Sequence, residues 1–407
     1  MGTTRCGGRA AAATLAAFVV LGGLFSGGAG EAGEPIRVGG TLALGGPLAP
    51  IAFIHRMAGE VFIERQNARG GWLGRPIEWT LLDDQSKPEQ ARALYERLIV
   101  ADKVDLLMGP YATGNILPAM EVAARHNMVF VHHTFGIPRL ATYRWQFPAW
   151  QMGPEPERTF PATLYAALKS AGAPPKTIAI VTSKFPSTQF LAAGARDEAA
   201  KHGLRVALYL EYEFGANDLT PVAARLREAK ADFVFAGAVG VEANMLLDAM
   251  EKVHYRPPGI FFLYPAPGPL LALGKASAYA MAATSFEEHP PFTDDPDAAD
   301  LVRRFHARAD AVGLRYGHVE TQAAVSFTAW QILGAAVTGA RSLDQEKLAD
   351  WLRRNRVKTV QGVVRFDGKN NYGDDLSKVK QIRNGDWAIV WPPEFAKPGL
   401  RPVYPAP

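Results

Sequence analysis

The chain has 407 residues, 48% hydrophobic and 21% charged, with a formal net charge of +4. That composition is ordinary for a globular protein, and the length favours two domains, because single cores stop growing at about 250–300 residues. Both signs of charge are spread along the chain without a basic block or an aromatic–basic stripe, which argues against nucleic acid as a partner.

The first thirty residues have an export layout. Arg5 and Arg9 supply a positive start, residues 10–25 (AAAATLAAFVVLGGLF) an apolar run, and Gly28 and Gly30 small residues ahead of a cut before Glu31. The run is short for a membrane span of about 20 residues and glycines interrupt it, so a cleaved signal peptide over 1–30 is expected rather than an anchor. Cys6, the only cysteine, would leave with it. The mature chain would then hold no thiol, which excludes disulfides, thiolate metal sites and cysteine nucleophiles. Loss of Arg5 and Arg9 lowers the formal charge from +4 to +2. No later segment reads as long and apolar enough to span a bilayer, so a soluble, exported protein is expected.

From Pro35 onward, strand and helix patterns alternate. IRVGGTLAL (36–44) predicts a buried strand, and Ile54, Met57, Ala58, Val61 and Phe62 recur at helical spacing across 51–68. A strand at 76–84, a helix at 87–102 with proline in its first turn, a strand VDLLMG, a helix NILPAMEVAARHN and a strand MVFVHH follow. Such alternation indicates βαβ units and a parallel sheet covered on both faces. Residues 137–158, rich in proline and aromatics, read as a connection between lobes. The alternation then resumes, with strands at 177–183, 206–214, 232–237 and 259–264 and helices near 188–202, 220–230 and 241–253. The last third brings a strand at 281–286, helices at 297–312, 319–339 and 343–355, TVQGVVRF (359–366), and a hairpin turning at Asn384-Gly385. These late pieces are too small for a third lobe and must dock back, so the chain crosses between lobes more than once. Repeated crossings make a hinge.

Motifs for chemistry are sparse. GGTLALGGP (39–47) follows the first strand but matches neither dinucleotide nor P-loop spacing; its glycines are expected to let the backbone approach a ligand or a neighbouring lobe. No nucleophile elbow or zinc-protease motif is present. His132 and His133 are adjacent, so on a strand they point to opposite faces, the wrong spacing for a shared metal. His126 belongs at a helix C-terminus. No partner nucleophile marks a general base, so neither a catalytic residue, a metal nor a cofactor is expected. Asp83 and Asp84 offer too few oxygens for calcium and are expected to end a strand and cap the helix near Pro88. GPYATGN (109–115) joins a buried strand to a helix, where ligands of parallel sheets bind and helix amides favour an anion. Thr113 or Asn115 is also placed to cap the helix, a role compatible with ligand contact. VHHTFG ends the next strand at the same sheet edge, so the two loops face one cleft.

Several stretches resemble the periplasmic solute-binding proteins of the branched-chain amino-acid (Leu/Ile/Val) type. QNARGGWLGRPIEWTLLDDQSKPEQA (66–91) is similar to the family's N-x-x-G-G-x-x-G-x-x-I pattern followed by D-D, P and A. VDLLMGPYATGN, AAVSFTAWQILGAAV (323–337) and TVQGVVRFDGKNNYG (359–373) follow in family order. The resemblance covers nearly all of the mature chain. It implies an α/β fold with two Rossmann-like lobes of the periplasmic binding protein type I, a three-segment hinge and a ligand cleft between the lobes. The expected lobes are 31–147 plus 285–358 and 148–284 plus 359–407. It also implies a periplasmic location and delivery of a small ligand to an inner-membrane ABC permease.

The departures bear on the ligand. Where the family places a small residue and a threonine that hold an amino acid's carboxylate and ammonium, this chain has Phe135 and Gly136. The position of the ammonium-pairing glutamate falls at Ala266, and that of a second-lobe tyrosine at Phe185 and Pro186. An ammonium buried without a carboxylate partner costs several kcal/mol, so a free α-amino acid is disfavoured. The expected site is Tyr111, Ala112, Thr113, His133, Thr134, Phe135, Trp150, Phe185 and Tyr264, an aromatic, sparsely polar set suited to an apolar, aromatic or lipid-like ligand. Competing readings are a receptor for a polar amide, urea or atypical amino acid, a ligand sensor of the same fold, and a hydrolase using His132 or His133.

Overall fold

A computed structural model describes residues 1–2 and 33–407. Cys6 and nearly all of the expected signal peptide lie outside the described residues. The first sheet is laid down by β1 (Ile36–Leu42), α1 (Ala49–Asn67), β2 (Ile77–Asp83), α2 (Pro88–Val100), β3 (Leu106–Met108), α3 (Thr113–Arg125), β4 (Phe130–His132) and β5 (Gln146–Pro148). Its order is β2-β1-β3-β4-β5 and every pairing is parallel, with Ile36 opposite Ile77 and Leu42 opposite Asp83 at the ends of the longest one.

The chain then builds a second sheet. α4 (Pro156–Ser170), β6 (Thr177–Ser183), α5 (Pro186–Ala199), β7 (Arg205–Tyr212), α6 (Thr220–Ala229), β8 (Phe233–Gly240), α7 (Glu242–Lys252), β9 (Ile260–Pro265), α8 (Pro267–Leu271) and β10 (Met281–Thr284) follow in turn. Their parallel strands run β7-β6-β8-β9-β10, which repeats the order of the first sheet. α9 (Pro296–Ala311), α10 (Thr321–Ala340) and α11 (Gln345–Arg354) return to the first sheet, where α9 and α10 pack on α1. After the small pair β11 (Val357–Thr359) and β12 (Gly362–Val364), the hairpin β13 (Lys378–Arg383) and β14 (Asp386–Trp391) adds to the second sheet antiparallel to β10. Asn384 and Gly385 both have positive φ, as a two-residue turn requires. The chain thus passes between the sheets three times, giving two α/β lobes of the type I binding-protein architecture.

Two expectations need correction. The stretch 137–158 is more than a connection: it contains β5, which completes the first sheet, and it runs into the first turn of α4. Pro156 sits in that first turn, where its missing N–H costs nothing, so proline marked a helix start rather than a break. The second correction concerns α10. Among the described residues this 20-residue helix is long and apolar enough to cross a membrane, contrary to expectation. Most of it is buried inside the protein instead. Phe62, Trp72, Trp79, Phe327 and Trp330 form an aromatic cluster against it, with ring centroids 5.1–6.3 Å apart. Trp330 is fully buried at its centre. Truncating such a side chain removes transfer energy and leaves a cavity. We expect Trp330→Ala to lose about 3–5 kcal/mol of stability, measured by urea unfolding followed by circular dichroism.

Candidate functional site

Strand order reverses beside the first strand of each sheet, between β1 and β3 and again between β6 and β8. Such reversals open a crevice at the carboxyl ends of the strands. The two crevices face each other. An apolar contact closes them, with Leu42, Leu48, Ala52 and Tyr111 from the first lobe meeting Phe185 and Val239 from the second.

Between them lies a cavity of about 290 Å³ lined by Tyr111, Ala112, Thr113, Thr134, Gly136, Trp150, Phe185, Ser187, Tyr264 and Gln322. Only about 20 Å³ of it admits the centre of a water molecule, room for one or two waters at about 10–15 Å³ each. A larger ligand therefore enters only when the lobes part. Broader grooves exist on the surface, and the one near α5 is lined by charges of both signs, including Arg139, Glu157, Arg196 and Glu211. The smaller cavity is lined by residues that follow β3 and β6, one strand from each of the two strand-order reversals.

Its walls come from loops after strands. Tyr111 and Ala112 follow β3, Thr134 and Gly136 follow β4, Trp150 follows β5, and Phe185 and Ser187 follow β6. Ala112 has φ +74° and ψ 137°, a region that residues other than glycine rarely enter. This bend sets Thr113, the first residue of α3, at the wall. Trp150 packs edge-on against Tyr264 with ring centroids 5.5 Å apart. Trp150 Nε1 and Thr134 Oγ1 are buried and find no hydrogen-bond partner among the described residues. Unpaired buried polar groups are costly, and these two stand at the cavity wall. None of the lining residues carries a formal charge.

Polar partners place the other groups. Thr113 does not cap α3, and neither does Asn115: Thr113 Oγ1 accepts from the Gly136 N–H at 3.1 Å, and Asn115 donates to Asp84 at 2.9 Å. Asp83 and Asp84 likewise do not cap α2. Asp83 accepts from the Leu44, Gly45 and Gln85 amides, and Asp84 from the Thr41 hydroxyl and the Ser86 amide. The pair therefore fixes the loops after β1 and β2. Burial raises the Asp84 carboxyl, against the pull of its donors. The glycines of residues 39–47 serve their own lobe, contrary to expectation. A Cβ on Gly40 would lie 2.7 Å from Met108 O, and one on Gly46 2.7 Å from Ser86 Oγ.

Tyr111, Ala112, Thr113, Thr134, Trp150, Phe185 and Tyr264 thus surround one cavity, while His133 and Phe135 lie away from its wall. Phe135 is wholly buried in the first lobe among Phe130, Ile137 and Tyr372, with its ring edge-on to His132 and its carbonyl accepting from the Tyr372 hydroxyl at 3.1 Å. His133 stands one layer behind the wall, its ring 4.6 Å from that of His55, which in turn lies 4.9 Å from Tyr111. His132 points the other way, with Nε2 2.7 Å from Gln146 Oε1. Desolvation lowers His132 to about 4 and His55 to about 3, and holds His133 well below the usual imidazole range. All three are neutral at neutral pH. Neutral His55 Nε2–H donates to Gln322 Oε1 at 3.0 Å and so orients a lining residue. His55, Gly136, Ser187 and Gln322 were absent from the expected site. Gln322 opens a helix more than 170 residues from its neighbours Thr134 and Trp150 in sequence, so no local pattern announces it.

A family model described as "Periplasmic binding protein" matches residues 35–386. The chain belongs to this family. An amino acid binding protein of Pseudomonas aeruginosa is 26% identical over 75% of this periplasmic binding protein and 79% of its own length. The Leu/Ile/Val-binding protein of Escherichia coli is 23% identical over 83% and 88%. Among solved structures, an ABC-transporter solute-binding protein of R. palustris in complex with benzoate aligns with a TM-score of 0.74 at 18% identity, over 87% and 95% of the two chains. A leucine-binding protein of Thermotoga maritima aligns with a TM-score of 0.75 at 16% identity, over 89% and 99%.

Two predictions follow from the geometry of this binding protein. A Cβ on Gly136 would lie 2.4 Å from Ser187 Cβ, across the gap between lobes. Gly136→Ala should fold normally but hold the lobes apart, giving a larger radius of gyration in small-angle X-ray scattering than the parent. The second concerns Glu320, buried just before α10, where desolvation raises its carboxyl to about 7 and Lys380 opposes the rise. The folded state keeps this proton after the unfolded chain, near the ordinary 4.5, has released it. Its stabilisation is therefore full below about pH 4.5 and lost as pH rises to about 7, a change of roughly 3 kcal/mol. Glu320→Gln should melt higher than the parent at pH 8 and close to it at pH 5, read by thermal unfolding at the two pH values.

Proposed function

We propose that this periplasmic binding protein captures a small, largely apolar or aromatic carboxylate between closing lobes and delivers it to an inner-membrane ABC permease. The observation that carries this reading is the cavity wall: aromatic rings and hydrogen-bond donors with no charged side chain. Trp150 Nε1–H can only donate, and Thr134 has a hydroxyl without a partner among the described residues. The starts of α3 and α5, at Thr113 and Pro186–Ser187, border the same space, and helix N-terminal amides favour an anion. A free amino acid would bring an ammonium for which the wall offers no carboxylate. The neighbour solved with benzoate fits this ligand class.

Contacts from both lobes favour the closed form when ligand is present, and the permease would recognise that form. We assign the protein no reaction, because His132 and His133 are fully buried and do not line the cavity. We place it in the periplasm after removal of residues 1–30, with lobes 31–147 plus 285–358 and 148–284 plus 359–407. The relatives named for amino acids support a second reading, an atypical amino acid, for which Glu320, whose charge acts on Tyr111, is the carboxylate near the site.

A thermal-shift screen of the mature chain separates these readings. Benzoate and related apolar carboxylates should raise the melting temperature, their primary amides should do so less, and Trp150→Phe should weaken the response. Stabilisation by leucine or valine alone would overturn the proposal.

A further inference from the structure

Away from the cavity, three side chains from separate parts of the chain converge. Glu288 lies just past β10, His306 on α9 and His318 just ahead of α10. His306 Nε2 lies 2.8 Å from Glu288 Oε1, and His318 Nδ1 lies 2.7 Å from Oε2. The two imidazoles meet edge-on with centroids 5.4 Å apart, and one ligand atom from each of the three residues lies within 4.8 Å of the others. The Val319 N–H donates to Glu288 Oε1 at 2.5 Å. Glu288 is largely buried, while both histidines are open to solvent on one side.

We propose that Glu288, His306 and His318 bind a divalent transition-metal ion, zinc foremost, with a fourth position open to water. Two imidazole nitrogens and one carboxylate are the donor set that zinc, nickel and copper take. Calcium and magnesium prefer oxygen alone, so two nitrogens select against them. Donors at about 2.0–2.1 Å from zinc lie roughly 3.3 Å apart in a tetrahedron. The present spacings bracket that value, so rotation of the exposed histidine side chains suffices to reach it. The Val319 amide holds the carboxylate from outside, as outer partners of metal ligands do.

The site also has a structural consequence. Glu288 continues from the second sheet, whereas α9 and α10 pack on α1 of the first lobe. An ion bound here ties one passage between the lobes to the loop ahead of α10, whose second residue is Gln322 of the cavity wall. Binding to the folded chain alone stabilises it by mass action.

The test uses the mature chain without a histidine tag, stripped with chelator and titrated with zinc chloride. Calorimetry should give one ion per chain, and saturating zinc should raise the melting temperature by several degrees. His306→Ala and Glu288→Gln should each weaken binding at least tenfold, and the half-exposed His318→Ala should do the same while keeping the parent's circular dichroism and metal-free melting temperature. The proposal is overturned if the parent takes up no zinc, or if His318→Ala binds it as tightly as the parent.

Discussion

Everything at the cavity depends on one topological constraint, repeated. In each sheet the chain places its second strand on one side of the first and its third on the other. Helices on opposite faces then carry the loops apart and leave a crevice at the carboxyl ends. Because the two sheets face each other through those ends, the cavity is walled by five different strand-to-helix or strand-to-loop junctions. No single segment owns it. This explains why the wall can be assembled from short pieces such as Tyr111–Thr113 and Phe185–Ser187 while the cores beneath remain ordinary packed apolar layers.

The electrostatics follow from how tightly the lobes meet. Where apolar residues shut out water, a charge is expensive unless paired. The protein answers by keeping nearby ionisable groups neutral. His55 and His133 lose their protons and Glu320 retains its own into the neutral range. One buried charge is paired: Lys380 Nζ lies 2.7 Å from Glu287 Oε1. The cavity wall is therefore polar without being charged. That quality suits discrimination by shape and by donors more than by ion pairing.

Much of the fold was legible because apolar runs alternate with 3.6-residue periodicity along nearly the whole chain. The opposite facing of His132 and His133 followed from strand alternation alone, and one goes to Gln146 while the other goes to His55. Less legible were positions just past strand ends, where alternation no longer applies. Phe135 follows Thr134 by one residue, and the chain turns there so that its ring enters the lobe core instead of the cavity. Thr113 looked like a cap, yet a cap residue precedes its helix, and here that place belongs to Ala112. Asp84 was misassigned for a different reason: its partners Thr41 and Asn115 are distant in sequence, and only folding brings them together. The same holds for Gln322 and for Glu288 with His306 and His318.

Helix α10 carries a burden that the finished fold conceals. A chain exported before folding presents this segment to the translocation channel with nothing packed around it. Twenty residues of such apolarity approach what a lipid bilayer retains. Polar residues within the segment raise the cost of leaving the channel sideways into lipid. Gln322, Ser326, Thr328 and Gln331 are such residues. Three of them are also tied into the folded protein: Gln322 accepts from His55, Ser326 donates to the His55 carbonyl, and Gln331 accepts from the Val360 amide. The side chains that seat α10 in its lobe are thus also the ones that lower its apolarity in an unfolded chain.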